Sequence, residues 1–524
     1  MSKSQIYFSA LLMGIFLSCS ENTNQKEEDL NDSPHIEISS KNPKAIDFFR
    51  KAEEFKFNQE YREAKESYLS ALRLDPNMIM SLLEINESNG LLLSAYRKKA
   101  AKNIVNGNEY EKIYIAWDTL PNNNSGREKQ QELSAKIIEL YPDKVDGYMM
   151  MALSYPSSNN ESINFLEKVL EIDPNNLKAN YQIIRNKFGG SNRAYQLKND
   201  KSFFDLFDSM AQSLISKFPK SLKIQNTLAN YYRNSYDFND ETRIEMAKKL
   251  YDNCMEIVNS NGSSSKINLL TSIAKLNLQM GKTDEAFKIL RTAIDLSEQN
   301  GQKIISYYRV FLAYIYNGDY LNSIKEINKF EEKINDYGFN EEEILKCKVG
   351  LNNYKSIIYA HANQKEKALQ SLDIYKNASN ELIKFYNFKS NIHNQINAIT
   401  GASILRWKEA SPRAQLWHEI WVNILVGEHK KAELLQDEFE KTFGDRQVHW
   451  DGILNVLQGN TQKGFEILKP MKFPYMQYFK SQALISLGEK EKAKAVLDSV
   501  RQLPEGSIYN NLIVKRSSDL YKSL

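Results

Sequence analysis

The sequence predicts an all-α chain, a superhelical solenoid of helix–turn–helix repeats, and three observations predict it. Apolar residues recur at steps of three and four, the period of a helix with one buried face; Phe48, Ala52 and Phe55 show it, and so do Leu270, Ile273 and Ala274. Small residues stand where paired helices have to approach closely, as Ala64 and Ala71 do, and again Ala286 and Ala293. A proline closes the pattern repeatedly, at Asp75-Pro76-Asn77, Tyr141-Pro142-Asp143, Asp173-Pro174-Asn175 and Phe218-Pro219-Lys220. The residue before a proline is biased out of the helical region, so each of these marks a helix end.

The first clear unit spans residues 45–78, with Phe48, Ala52 and Phe55 on its first helix and Ala64, Tyr68 and Ala71 on its second. A second spans 267–300, where Gly281 makes the turn before Ala286, Leu290 and Ala293. Both resemble the tetratricopeptide repeat, a helix–turn–helix of about 34 residues. The pattern continues from Ile304 through Tyr307, Val310, Tyr314, the turn Gly318-Asp319-Tyr320 and Ile327. A less regular pair surrounds Tyr354, with Tyr359 before its turn and Ala368 and Leu372 after it. Towards the C-terminus, Leu416, Ile420, Asn423, Leu425 and Gly427 align with Val448, Gly452, Asn455, Leu457 and Gly459, and Leu484, Gly488, Ala493 and Leu497 form a further unit. A last helix over 507–522 is expected to cap the open end of the stack. The stretch 375–410, with Gly401-Ala402-Ser403, breaks the pattern. It divides the expected arrays into 43–374 and 411–524.

Ahead of the repeats, Lys3 precedes a mostly apolar run from Ile6 to Leu17, and Phe16-Leu17-Ser18-Cys19 ends it. The run is too short to span a bilayer and has the charge and length of a signal peptide, 1–18. Its end resembles the lipobox of bacterial lipoproteins, with Phe16 where Leu is usual. That resemblance implies a Cys19 carrying fatty acyl chains such as palmitate, and two or three chains anchor firmly where one does not. Residues 19–42 then read as a lipidated cysteine and a disordered tether, polar from Asn22 to Pro34 and without an aromatic side chain. Lys26-Glu27-Glu28 resembles the export signal of surface lipoproteins in the Bacteroidetes. The expected place is the Gram-negative envelope, the outer membrane before the inner, with the leaflet open.

Composition narrows the function. Sixty-nine basic and 66 acidic residues in 524 leave a net charge of +3, which offers no bulk attraction to nucleic acid. The chain has neither a dinucleotide or phosphate-binding glycine motif nor a GxSxG nucleophile, and Trp417-His418-Glu419-Ile420-Trp421 has Val422 where a zinc HExxH site needs its second histidine. His418, His429 and His449, with Glu419 and Asp451, read as packing or surface residues, not as metal ligands. Cys254 and Cys347 read as small buried hydrophobes, with a disulfide as the alternative. No cofactor, metal or catalytic residue is expected.

In tetratricopeptide arrays the first helices line the concave face, and the resemblance places Tyr308, Trp417, Trp421, Ile424, Tyr475 and Tyr478 on it. Large aromatic side chains there suit a binding surface. A register slip of one residue turns Trp417 and Trp421 into packing residues instead, and Glu419 and Asn423 at normally packed positions point that way. The resulting expectation is a non-enzymatic, membrane-anchored scaffold that binds an envelope protein or peptide and meets the bilayer through its acyl anchor. A glycan- or peptide-binding lipoprotein and an unrecognised envelope enzyme are the alternatives.

Overall fold

The computed structural model describes residues 33–85, 90–121, 123–156, 159–189, 196–235, 241–261, 265–297, 300–393, 411–503 and 508–524. Among them every regular element is a helix, and none is long and apolar enough to cross a membrane. Cys19 and the signal-like run lie outside the described residues. The chain forms two units, both discontinuous: Met1–Ser39 with Gly107–Asn186, and Ser40–Asn106 with Lys187–Leu524.

The larger unit opens with a hairpin, α1 (Pro43–Phe57) and α2 (Tyr61–Leu74). Asn42 caps α1 by accepting from the Ala45 N–H at 3.3 Å, and Pro43 sits in the first turn, where no amide donor is needed. Ala45, Ala52, Ala64 and Ala71 are buried between the two helices, with Phe49 and Tyr68 beside them, ring centres 6.0 Å apart. Phe48, expected in the packed stripe, is exposed. The stripe that begins at Ala45 runs i, i+4, i+7 through Phe49 and Ala52 and leaves Phe48 outside it. Two further helices follow, α3 (Ile79–Glu84) and α4 (Gly90–Asn103).

The smaller unit contains α5 (Glu109–Asp118), α6 (Asn124–Leu140), α7 (Val145–Ser154), α8 (Asn160–Ile172) and most of α9 (Leu177–Phe188). It also holds residues 33–39, which the sequence assigns to a disordered tether. These residues are pinned. The Ile36 N–H donates to Asp146 at 2.7 Å, Val145 N–H to the Pro34 carbonyl at 2.9 Å, and Asn108 Nδ2 to the Glu37 carbonyl at 2.6 Å. Ser39 donates to Glu111 from both its N–H and its hydroxyl. Ile36 and Ile38 are buried. Composition missed this because two isoleucines and two well-placed carboxylates suffice to hold so short a segment.

The larger unit resumes with α10 (Lys201–Lys217), α11 (Leu222–Asn234) and α12 (Thr242–Asn261). Then come six hairpins: α13 (Lys266–Gln279) with α14 (Thr283–Asp295), α15 (Asn300–Tyr316) with α16 (Tyr320–Lys333), α17 (Glu341–His361) with α18 (Lys365–His393), α19 (Pro412–Leu425) with α20 (His429–Phe443), α21 (Val448–Leu457) with α22 (Thr461–Leu468), and α23 (Pro474–Ser486) with α24 (Lys490–Arg501). The last helix is α25 (Ile508–Ser523). All four proline signals mark real ends: α2, α6, α8 and α10 stop so that Asp75, Tyr141, Asp173 and Phe218 cap them, each just before its proline.

One turn recurs in the hairpins. A residue in the left-handed region follows the first helix, and the next N–H reaches back five residues. Thus Gly281 has φ +72 and Lys282 N–H bonds the Asn277 carbonyl at 2.8 Å, and Gly427 has φ +82 with Glu428 N–H on Asn423 at 2.9 Å. This is the closure that favours glycine after a helix. Gln59 and Asn363 hold the same conformation without glycine.

One expectation about organisation changes. The stretch 375–410 does not separate two arrays: α18 continues through its first part, and Lys376 Nζ meets Glu419 at 2.6 Å and Gln415 Nε2 meets Asn380 at 3.3 Å, joining α18 to α19. Residues 394–410 lie outside the described residues. The stack also makes contacts between segments distant in the sequence. The turn after α1 accepts from the start of α11, Lys223 N–H to Asn58 Oδ1 at 3.2 Å, and from Ser265 Oγ to the Gln59 carbonyl at 3.1 Å.

Candidate functional site

The first helices α15, α17, α19 and α23 present the face on which the sequence places its aromatic set, and the C-terminal helix α25 lies on that face. Ile508, Leu512, Ile513 and Val514 of α25 are buried. Asn511 Nδ2 donates to the Leu312 carbonyl of α15 at 3.0 Å, and the Tyr320 hydroxyl reaches the Leu512 carbonyl at 3.5 Å. The Tyr509 ring stands edge-on to Trp417 of α19 and Tyr475 of α23, centres 6.0 and 6.1 Å away. The helix expected to cap the stack packs on α24 and also reaches across the inner face.

This burial corrects the candidate surface. Trp421, Ile424, Tyr475 and Tyr478 are buried and offer no open surface. Trp421 packs edge-on against Tyr475 at 4.8 Å, and the Tyr475 hydroxyl pairs with His361 Nε2 at 2.7 Å. Burial raises the tyrosine's pKa well above the usual phenol value and lowers that of His361 well below the usual imidazole value. The chain supplies its own occupant of this face: Tyr509, of a helix some 90 positions after Trp421, packs on Trp417 and Tyr475.

Trp417 and Tyr308 remain half-buried, and both line a cavity of about 660 Å³. Tyr308 stacks on Tyr354 of α17 with centres 5.2 Å apart and planes 25° apart. Tyr375 of α18 and Tyr509 of α25 add further aromatic wall, and Asn353, Ser411, Arg413 and His418 supply the polar part. Arg413 forms an ion pair with Asp445 and lies over the Phe439 and Phe443 rings. The irregular repeat around Tyr354 was the one sequence signal for the lining residues the sequence reading missed.

His418 is the most constrained polar group of this wall. It is 1% exposed, edge-on to Tyr375 at 4.8 Å, and its Nε2 lies 2.7 Å from the Ser356 hydroxyl. Ser356 Oγ donates to the Asn353 carbonyl at 2.7 Å, so Ser356 accepts the imidazole proton and Nε2 carries it. Burial lowers the His418 pKa to about 3, which keeps the ring neutral. Its Nδ1 is then a buried acceptor, and it has no hydrogen-bond partner.

The residues once weighed as metal ligands are engaged otherwise. Glu419 is buried beside Lys376 and has Lys431 at 3.8 Å. Asp451 receives Arg446 at 2.8 Å and Gln436 at 3.0 Å. Among the described residues no group of three His, Cys, Asp or Glu has the geometry of a metal site. Cys254 and Cys347 are free, and burial pushes each thiol up to about 12, the less reactive, protonated form.

Two segments, residues 44–78 and 267–300, match the model of the tetratricopeptide repeat, and they correspond to α1–α2 and α13–α14. No curated protein matches the chain. Among solved structures, human IFIT1 as a dimer with m7Gppp-AAAA is 13% identical with a TM-score of 0.33, over 88% of this chain and 90% of that one. Yeast Tom70 is 12% identical with a TM-score of 0.31, over 92% and 97%. Likenesses of this degree say nothing of what the chain binds.

Proposed function

We propose that this chain is a lipid-anchored, non-enzymatic scaffold of a Gram-negative cell envelope, held through Cys19 to the outer membrane in preference to the inner one, and that its repeats bind an envelope protein. The tetratricopeptide hairpins carry this reading, since stacked helical pairs offer extended side-chain surfaces suited to a partner. The anchor rests on the apolar run that ends at Ser18-Cys19.

Because α25 occupies the inner face of the C-terminal hairpins, a protein partner docks elsewhere on the array or displaces that helix. Crosslinking in native membranes, followed by affinity purification and mass spectrometry, tests the reading. One envelope protein recovered in near-equal amount supports it, and recovery of the chain alone counts against it. Replacing Cys19 by Ser should move the protein from the membrane to the soluble fraction; retention on the membrane would dismiss the acyl anchor.

A further inference from the structure

We propose that the cavity beside Tyr308 and Trp417 binds a neutral sugar of one or two rings. The inference goes beyond the scaffold reading and holds whether or not the chain is anchored.

The size of the cavity, about 660 Å³, is that of a small-molecule site. Its wall is mixed in a particular way. Tyr308, Tyr354, Tyr375, Trp417 and Tyr509 bring flat aromatic surfaces from five different helices. A pyranose has a face of C–H groups that lies against such a ring and a rim of hydroxyls that needs hydrogen-bond partners. Asn353, Ser411, Arg413 and His418 stand around the aromatic residues in the same wall.

Charge excludes the main competitors. Among the described residues no carboxylate lines the cavity, so a cationic ligand finds no counterion there. Arg413 is the one cation among the described lining residues, and Asp445 already neutralises it. A wholly apolar ligand makes no use of the Asn353 amide in the lining. Finally, α25 fills the inner face through Asn511 and Tyr509, so an extended peptide has no continuous track across these hairpins, whereas a compact ligand needs none.

Calorimetric titration of the detergent-solubilised full-length chain tests the site. The probes are maltose, cellobiose and N,N′-diacetylchitobiose, with glucosamine and galacturonate as charged comparators. The expected result is saturable one-to-one binding of at least one neutral disaccharide, weakened about tenfold or more by Asn353→Ala or by Trp417→Phe at an unchanged melting temperature. If Trp417→Phe lowers the melting temperature, Asn353→Ala decides alone, since its half-buried side chain makes no hydrogen bond among the described residues and its carbonyl stays to hold Ser356. Flat titrations with all three neutral sugars, tighter binding of a charged comparator, or binding untouched by these substitutions would overturn the proposal. None of those results bears on the anchor or on a protein partner, which the membrane experiments read separately.

Discussion

Helices α13 and α19 hold the same place in their hairpins, yet their inner faces differ. At corresponding positions α13 carries Asn268, Thr271 and Lys275, exposed or half-buried, and α19 carries Ala414, Trp417 and Trp421. The fourth position is apolar and buried in both, Leu278 and Ile424. The aromatic face is covered, Trp421 fully and Trp417 in part, by Tyr475 and Tyr509. An apolar inner face thus announces that something covers it. In this molecule the covering element belongs to the same chain, and the small region it leaves uncovered becomes a cavity in place of a groove.

The comparison can be broken most forcefully at α25. Leu512 is fully buried, and Leu512→Ala should destabilise the C-terminal hairpins by about 2–5 kcal/mol in denaturant unfolding. A change within error would mean that α25 does not rest on the inner face. A second test asks whether close helix approach is as strict in the later hairpins as in α1–α2. A Cβ on Gly464 would lie 2.6 Å from Val456 Cγ2 and 2.8 Å from the Gly452 carbonyl. Gly464→Ala should therefore cost about 1–3 kcal/mol despite alanine's better helix propensity, and a gain in melting temperature would show that α21 and α22 are looser than described.

A pH titration sharpens the contrast further, because the aromatic region holds two buried histidines, His361 and His418, against its packed rings. Both have folded pKa values below the unfolded imidazole value of about 6.5. Below that pH the unfolded chain takes up protons that the folded chain refuses, so stability falls as the pH drops from about 6.5 towards about 3, the value for His418. His418→Gln should make that fall shallower by about one proton, at most about 1.4 kcal/mol per pH unit. An identical slope in wild type and variant would place His418 in water. The smallest effect is expected on the polar face, where Asn268→Ala should stay within about 0.5 kcal/mol in the same unfolding measurement.

Much of the architecture was legible because it rests on local rules. Ala64 and Ala71, the four prolines and the turn glycines each act within a few residues of themselves, and the helices begin, stop and pair where these residues say. The errors share the opposite property. Phe48 against Phe49 is a matter of one residue of rotation, decided by where Pro43 starts the helix. Residues 33–39 looked unable to fold because their partners, Glu111 and Asp146, stand far ahead in the chain. The candidate site was half legible. Trp417 and Tyr308 were chosen for facing inward, and they do line the cavity, but Tyr354, Tyr375, Asn353 and Arg413 join them only through the packing of α17, α18 and α19.

The sequence by itself determined an all-α chain of short hairpins, where those hairpins turn, and which of their faces are too apolar to stay in water. Periodicity, capping and glycine conformation are short-range properties, and a linear chain displays them. Only the tertiary structure decided that α25 returns to cover Trp417 and Tyr475, that the first turn docks on residues far downstream, and that a cavity with a neutral, half-satisfied histidine survives beside them. Those outcomes depend on contacts between distant residues, where burial is proportional to area and indifferent to sequence order, so nothing local in the chain records them.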